Sequence, residues 1–159
     1  MEQQPPPKKS RPEPGLRARA LRLLARREHS RLELERKLSP HAESAEELAN
    51  LLDDLVRRGW LSERRVIEQV VHARRGKLGS RRIRQELLDK GIAAELVAEV
   101  VVQLKGGDVE AARALWQKKF GSLPRDAAGR ARQIRFMQGR GFGLEVILKV
   151  MKRGEKDDE

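Results

Sequence analysis

The stretch HARRGKLGSRRIR, His72 to Arg84, places Arg74, Arg75, Lys77, Arg81, Arg82 and Arg84 together with no acid among them; a protonated His72 adds a seventh cation. Guanidinium groups donate forked hydrogen bonds that match the oxygens of carboxylates and phosphates. A cluster of like charge repels itself, so it is either fully solvated or meets a partner of negative charge. Smaller basic clusters recur. Arg26, Arg27 and Arg31 flank one candidate inter-helix turn; Lys118, Lys119 and Arg125, then Arg130, Arg132 and Arg135, flank or follow another. Beside nearby glutamates, as in ELERKL, such residues also serve simply to solvate an outer helix face.

No other set of residues suggests chemistry. His29, His41 and His72 lack metal-ligand spacing with one another or with a carboxylate. His29 stands just before a helix start and reads as a cap neighbour or a surface residue. The serines fall mainly at helix starts, where capping explains them. QGRGFG, residues 138–143, follows a helix and lacks the Lys-Ser/Thr of a phosphate loop, so its glycines read as a helix-terminating turn. Asp53 and Asp54 are adjacent and point to different sides of a helix. Cysteine is absent, which removes disulfides, Cys-ligated zinc and thiol nucleophiles, and suits a reducing cytoplasm. The sequence therefore predicts a binding protein with no catalytic, metal or cofactor residues.

The charge belongs to the part expected to fold. Net charge is +11; residues 1–15 contribute +1 and residues 152–159 contribute −1, so residues 16–151 carry the whole +11. An acidic partner is expected: nucleic acid, an anionic membrane or an acidic protein groove. The start, MEQQPPPKKSRPEPG, has no apolar core of a secretory signal. The longest apolar-rich run, IAAELVAEVVVQL, contains Glu95 and Glu99 and is too short to span a bilayer. With only 3% aromatic residues and no tyrosine, a base-stacking platform is poorly supplied.

The elements that hold these residues are helices throughout, because the apolar period is helical almost everywhere. Leu16, Ala20, Leu21, Leu24 and Ala25 form one stripe. Ser30 with Glu33 makes a capping box for a short helix with Leu34 and Leu38 inside, ended by Pro40. Ser44 with Glu47 opens a helix lined by Leu48, Leu51, Leu52 and Leu55, closed by Gly59. Ser62 is placed to cap the next, with Val66, Ile67, Val70 and Val71. The pattern then recurs. Leu48, Leu51, Leu52 and Leu55 match Val97, Val100, Val101 and Leu104; Val97, Val100 and Val101 match Ile147, Val150 and Met151. Leu34 and Leu38 match Ile83 and Leu87, and KGI at 90–92 matches RGF at 140–142. The first helices align with a short slip. The expected architecture is all-α: three tandem three-helix repeats, helix-turn-helix-like, stacked into an elongated, curved rod. The expected divisions are a disordered Pro-rich lead at 1–15, repeats at 16–60, 61–106 and 107–151, and a polar tail at 152–159.

These residues carry a family resemblance. LRLLARREHSRLELERKL (21–38), LLDDLVRRGWLSERRVIEQVVHARRGKLGSRRIRQELLDKGI (51–92), and ALWQKKFG with RQIRFMQGRGF (114–142) resemble the RecX family, regulators of the RecA recombinase. The ordered set is specific: the Arg-Arg-x-x-Ser-Arg segment, the Gly-Trp-Leu turn, the Arg-Ile-x-x-Glu-Leu-x-x-Lys-Gly-Ile segment and the Arg-Gly-Phe turn, covering residues 16–151. One departure is visible. Where the family usually has Asp-Asp-x-Arg-Phe-Ala after the Gly-Trp-Leu turn, this chain has SERRVI, 62–67. The resemblance implies binding in the helical groove of the RecA filament on single-stranded DNA; separately, a monomer is expected. The resemblance also implies that filament growth, recombinase activity and coprotease activity are restrained, and so the SOS response, without catalysis or cofactor. In that frame the basic residues named above, Arg84 included, are expected to dock on acidic filament surface or on DNA phosphates.

Two other readings follow from the same residues. Helix-turn-helix-like modules with this charge could bind single- or double-stranded DNA through phosphates, but only Gln85 and Gln133 are placed to read bases on the short helices. A membrane-surface protein fits less well, because the cations cluster at turns and do not line one long amphipathic helix.

Overall fold

The computed structural model describes residues 5–6 and 12–157. The expected Pro-rich lead lies largely outside the described residues. Among those described, all regular structure is helical: α1 Leu16–Arg26, α2 Arg31–Leu38, α3 Ala45–Arg57, α4 Glu63–Arg74, α5 Ser80–Asp89, α6 Ala94–Lys105, α7 Asp108–Lys119, α8 Ala127–Gly139 and α9 Leu144–Asp157, with a single 3-10 turn at Ser39–His41.

The helix ends form where the local chemistry puts them. Ser30 accepts from the Glu33 N–H while Glu33 reaches back to the Ser30 N–H, closing the box that opens α2. Ser44 and Ser62 accept from the N–H groups of Glu47 and Arg65. Glu47 does not return to its cap; its carboxylate accepts from the Glu43 N–H instead. Pro40 sits in the 3-10 turn that stops α2. Gly59, Gly91 and Gly141 have φ of 73°, 80° and 95°, the left-handed region that favours glycine. Each is followed by a residue whose N–H returns to a carbonyl of the last turn: Trp60 to Leu55, Ile92 to Leu87 and Phe142 to Met137.

The apolar faces build three cores in series. Ala20, Leu34, Leu38, Leu48, Leu51, Leu52, Leu55 and Leu61 form the first. Val66, Ile67, Val70, Ile83, Leu87, Ile92, Val97, Val101 and Leu104 form the second. Ala112, Trp116, Met137, Phe142, Ile147, Val150 and Met151 form the third. Each draws on three consecutive helices, so the chain is an array of three-helix units. Val66 and Ile67 of the SERRVI segment fill the second core, at 2% and 7% exposure.

The last helix corrects one boundary. A polar tail was expected from residue 152, but α9 continues to Asp157. The helix end lies against the third core: a Cβ on Gly154 would be 3.2 Å from Leu123 and 3.6 Å from Trp116.

Candidate docking surface

The basic cluster of residues 72–84 ends α4 and begins α5, at the joint between the second and third units. The turn is fixed by Leu78 and Lys77, whose N–H groups donate to the Arg74 carbonyl at 2.8 and 2.9 Å. Gly79 then meets the turn after α8. A Cβ on Gly79 would sit 2.5 Å from the Gly141 carbonyl oxygen, so glycine is required for the approach. The N–H groups of Gly79 and Arg81 donate to the Arg140 and Gly141 carbonyls at 2.7 and 3.2 Å. Unpaired donors at the start of α5 are thus satisfied by unpaired acceptors at the end of α8, positive helix end against negative. Arg82 adds a bond from Nη1 to the Gly139 carbonyl at 2.9 Å.

A buried ion pair locks the same joint. Asp108, the first residue of α7, is 3% exposed. It accepts from Arg75 Nη1 at 2.7 Å and from the Ser80 N–H at 3.1 Å, and the Ser80 hydroxyl donates to its other oxygen. Arg75 also donates to the Leu104 carbonyl.

The structure therefore divides the predicted cluster. It is free of acids along the chain but not in space. Arg75 is consumed by Asp108, and Arg74 pairs with Glu86 at 3.1 Å. Among the described residues Lys77, Arg81, Arg82 and Arg84 form no ion pair and are exposed. Lys77, Arg74 and Arg82 line a cleft of about 570 Å³ together with Arg140, Glu86 and Asp89. Arg140 was not singled out from the sequence, since QGRGFG reads only as a turn; the signal was its match to Lys90 in the KGI/RGF pair.

The first cluster is mostly committed to the fold. Arg27 pairs with Glu33 at 2.8 Å and Arg31 with Asp53 at 2.7 Å, while Arg26 is exposed and, among the described residues, in no ion pair. Lys90 of the second unit joins Glu33 at 3.2 Å. Burial pushes the Glu33 carboxyl up, but hydrogen bonds from Arg27, the Ser30 N–H and Lys90 outweigh it and hold the group at about 2. In the third cluster Lys119 and Arg140 both lie against the Phe136 ring, 5.2 and 5.0 Å from its centroid. Lys118, Arg132 and Arg135 are exposed.

The structure also places four other residues. His29 is a cap neighbour, but not on the surface: it is 2% exposed. Lys37 Nζ lies 3.1 Å from its Nε2, so that nitrogen accepts and Nδ1–H donates to the Arg27 carbonyl at 3.0 Å. Burial lowers its pKa and keeps the ring neutral. Gln133 is no base reader, since it is buried between the Trp116 indole N–H and the Ser122 carbonyl. Gln85 is exposed and donates to Asp89. Arg65 of SERRVI spans to the first unit, with Nε to Glu28 at 2.8 Å and Nη2 to the Gly59 carbonyl at 2.7 Å. Among the described residues no group of His, Asp and Glu is placed to hold a metal ion, and no helix is long and apolar enough to cross a membrane.

Comparison with known proteins gives the same architecture a family. Residues 62–101 match the second three-helix domain of RecX and residues 107–151 the third. A "Regulatory protein RecX" of Leptothrix cholodnii is 45% identical over 150 residues, covering 94% of this chain and 96% of the relative. The chain belongs to the RecX family of regulatory proteins. A relative of the same name from Ralstonia pickettii is 49% identical over 137 residues, 86% of each chain. The fold agrees with the crystal structure of RecX from Lactobacillus salivarius, with a TM-score of 0.73, 18% identity, and coverage of 88% of this chain and 94% of that one. The Arg75–Asp108 lock thus joins the second RecX domain to the third.

Proposed function

We propose that this RecX-family protein is a non-enzymatic regulator that binds the RecA filament on single-stranded DNA, in its helical groove. Bound there, it limits filament growth and so restrains recombinase and coprotease activity. It acts in the cytoplasm, as a monomer, without a cofactor. The observation that carries the reading is the charge left over at the joint of the second and third units. The fold uses Arg74 and Arg75 internally and leaves Lys77, Arg81, Arg82 and Arg84 with no carboxylate partner among the described residues. Unneutralised guanidinium groups on a rigid joint are pre-organised for an anionic surface. A sequence-specific DNA reader fits less well, because Gln133 is committed to the core and Gln85 is tied to Asp89.

The test is ATP hydrolysis by the host's RecA on excess single-stranded DNA, with this protein well below the RecA concentration. Coating of DNA does not stop the reaction while most DNA remains free, so loss of hydrolysis means action on the filament. The variant to compare is Lys77→Glu/Arg81→Glu/Arg84→Glu, which spares Arg82 because its side chain holds the joint. Its helicity should match the parent and its inhibition should weaken by about tenfold or more, the scale of losing charge complementarity at an interface. Unchanged inhibition removes this surface from the mechanism. Unchanged hydrolysis with the parent protein, together with tight binding to bare DNA, overturns the regulator reading.

A further inference from the structure

Five of the clefts lined by described residues differ in charge. Four carry carboxylates in their walls: Glu86 and Asp89, Glu35 and Glu43, Glu63, and Asp126 with Glu155. The other, of about 400 Å³, lies in the first unit between α1 and the end of α2. Its polar lining is Arg19, Arg22, Arg26, Lys37 and His41, with no carboxylate. Leu23 and Leu38 give it an apolar floor.

The arrangement sorts the arginines of the first unit by face. Arg17 is paired with Asp54 and Arg27 with Glu33. Arg19, Arg22 and Arg26, at i, i+3 and i+7, share one side of α1; among the described residues none of them is in an ion pair. At the helical rise they lie about 4.5 and 6 Å apart along the axis. Lys37 faces them from α2, its ammonium fixed by the bond to His29 Nε2 at 3.1 Å. Four permanent cations gathered with no carboxylate in the described lining repel one another. A single carboxylate neutralises one of them. A phosphodiester strand, with a charge at about every 3.4 Å of rise, neutralises several at once, and guanidinium forks suit phosphate oxygens. The leucine floor gives the sugar an apolar seat.

We propose that this cleft binds the phosphate backbone of a nucleic-acid strand, as a site separate from the α4–α5 joint. It lies in the first unit, whereas the joint lies between the second and third. The proposal stands or falls without RecA, because the test contains none.

The experiment is fluorescence anisotropy of labelled oligothymidylate, and of a matching duplex, with the full chain across a salt series. The variant is Arg19→Gln/Arg22→Gln/Arg26→Gln, which keeps good helix formers on α1. Its control, Lys149→Gln/Lys152→Gln/Arg153→Gln, removes the same charge from exposed positions of α9. The cleft variant should bind about tenfold to a hundredfold more weakly, and its log–log salt slope should fall by about 2, given roughly 0.7–0.9 per lost phosphate contact. Its melting temperature should hold or rise, because repulsion is relieved. If the triple variant loses helicity, Arg22→Gln alone should lower the slope by about 1. Equal losses in the cleft variant and the control, or no loss in the cleft variant, overturn the proposal. So does displacement of the oligonucleotide by polyglutamate at matched charge, which assigns the cleft to acidic protein. The stronger of the single-strand and duplex signals says which nucleic acid it takes.

Discussion

Replacing Asp108 by alanine should uncouple the third unit from the other two. Asp108 is 3% exposed, and its partner Arg75 keeps 24% of its side chain exposed. The substitution leaves a partly buried guanidinium without its carboxylate, and leaves the Ser80 N–H without its acceptor in a residue that is 2% exposed. Breaking a buried pair costs about 3–5 kcal/mol. An orphaned buried donor costs about 1–3 kcal/mol. The two overlap, so a total of about 3–5 kcal/mol is expected. Asp108→Asn returns an acceptor to Ser80 but no charge to Arg75, and should cost about half as much. In an array where stability is the sum of unit and interface terms, a loss of this size falls on one joint. The two tryptophans make that visible. Trp116 lies in the third core at 4% exposure, while Trp60 of the first unit is 43% exposed and changes its surroundings less on unfolding. Denaturant unfolding should therefore be followed by fluorescence and by far-ultraviolet circular dichroism together. In the parent the two transitions coincide; in Asp108→Ala the fluorescence transition moves to lower denaturant and separates from the helical signal. Arg65→Gln is the contrast. It breaks the Arg65–Glu28 pair, whose side chains are 43% and 27% exposed, and an exposed pair is worth under about 1 kcal/mol. Coincident transitions in Asp108→Ala, shifted by less than about 1 kcal/mol, would refute the lock and credit the joint to its backbone bonds.

Two further outcomes follow from the same geometry. Gly141→Ala should destabilise by about 2 kcal/mol or more, because φ is 95° and a Cβ would lie 2.5 Å from Arg82 Cγ and 2.6 Å from its backbone nitrogen. Gly139→Ala, where a Cβ meets nothing within 4 Å, should be neutral or stabilising in the same thermal melt. Glu33 is held at about 2 in the fold against an ordinary 4.5. The unfolded chain therefore takes up the proton first, and the stability that Glu33 confers, complete above about pH 5, drains away as pH falls toward 2. The loss amounts to at most about 3 kcal/mol. Glu33→Gln should flatten that part of the stability–pH curve; a parallel curve would mean that the cluster around Glu33 does not hold its charge.

What could be read from the sequence was set by range. Ser30 with Glu33, Ser62 with Arg65 and the glycine turns act over three to six residues, so spacing alone locates them. Core positions such as Leu34, Ile83 and Ile147 follow from helical period, because one face of each helix must be covered. The fate of a charge is different, since its partner can lie anywhere. Arg75 and Asp108 are 33 residues apart, and nothing local to either announces the other. Gln133 looked available for the same reason: the indole that claims it comes from another helix. Residues 152–157 read as polar tail by composition, yet α9 continues through them, with Gly154 close against Leu123 and Trp116 of another part of the third unit. The basic cleft of the first unit was hidden differently. Its arginines were counted in the sequence, but only the fold separates those that meet Asp54 and Glu33 from those in no ion pair among the described residues.

The two joints of the array share one construction and differ in charge, and the difference bears on where a partner can bind. In each, a basic residue and a left-handed glycine pack on the start of the preceding unit's second helix: Lys90 and Gly91 on Leu32 and Glu33, Arg140 and Gly141 on Gly79 and Arg82. The match of Leu34 to Ile83 sets Glu33 and Arg82 at equivalent places. At the first joint the place holds an acid, and Lys90 is neutralised there at 3.2 Å. At the second it holds an arginine, which turns to the Gly139 carbonyl at 2.9 Å and lines a cleft with Arg140. A carbonyl satisfies hydrogen bonds without cancelling charge. The second joint can tolerate that because Asp108 secures it from within; at the first, the largely buried Lys90–Glu33 pair both holds the joint and cancels the charge. One joint therefore spends its acids on holding together. The other is locked inside and keeps its cations for what lies outside.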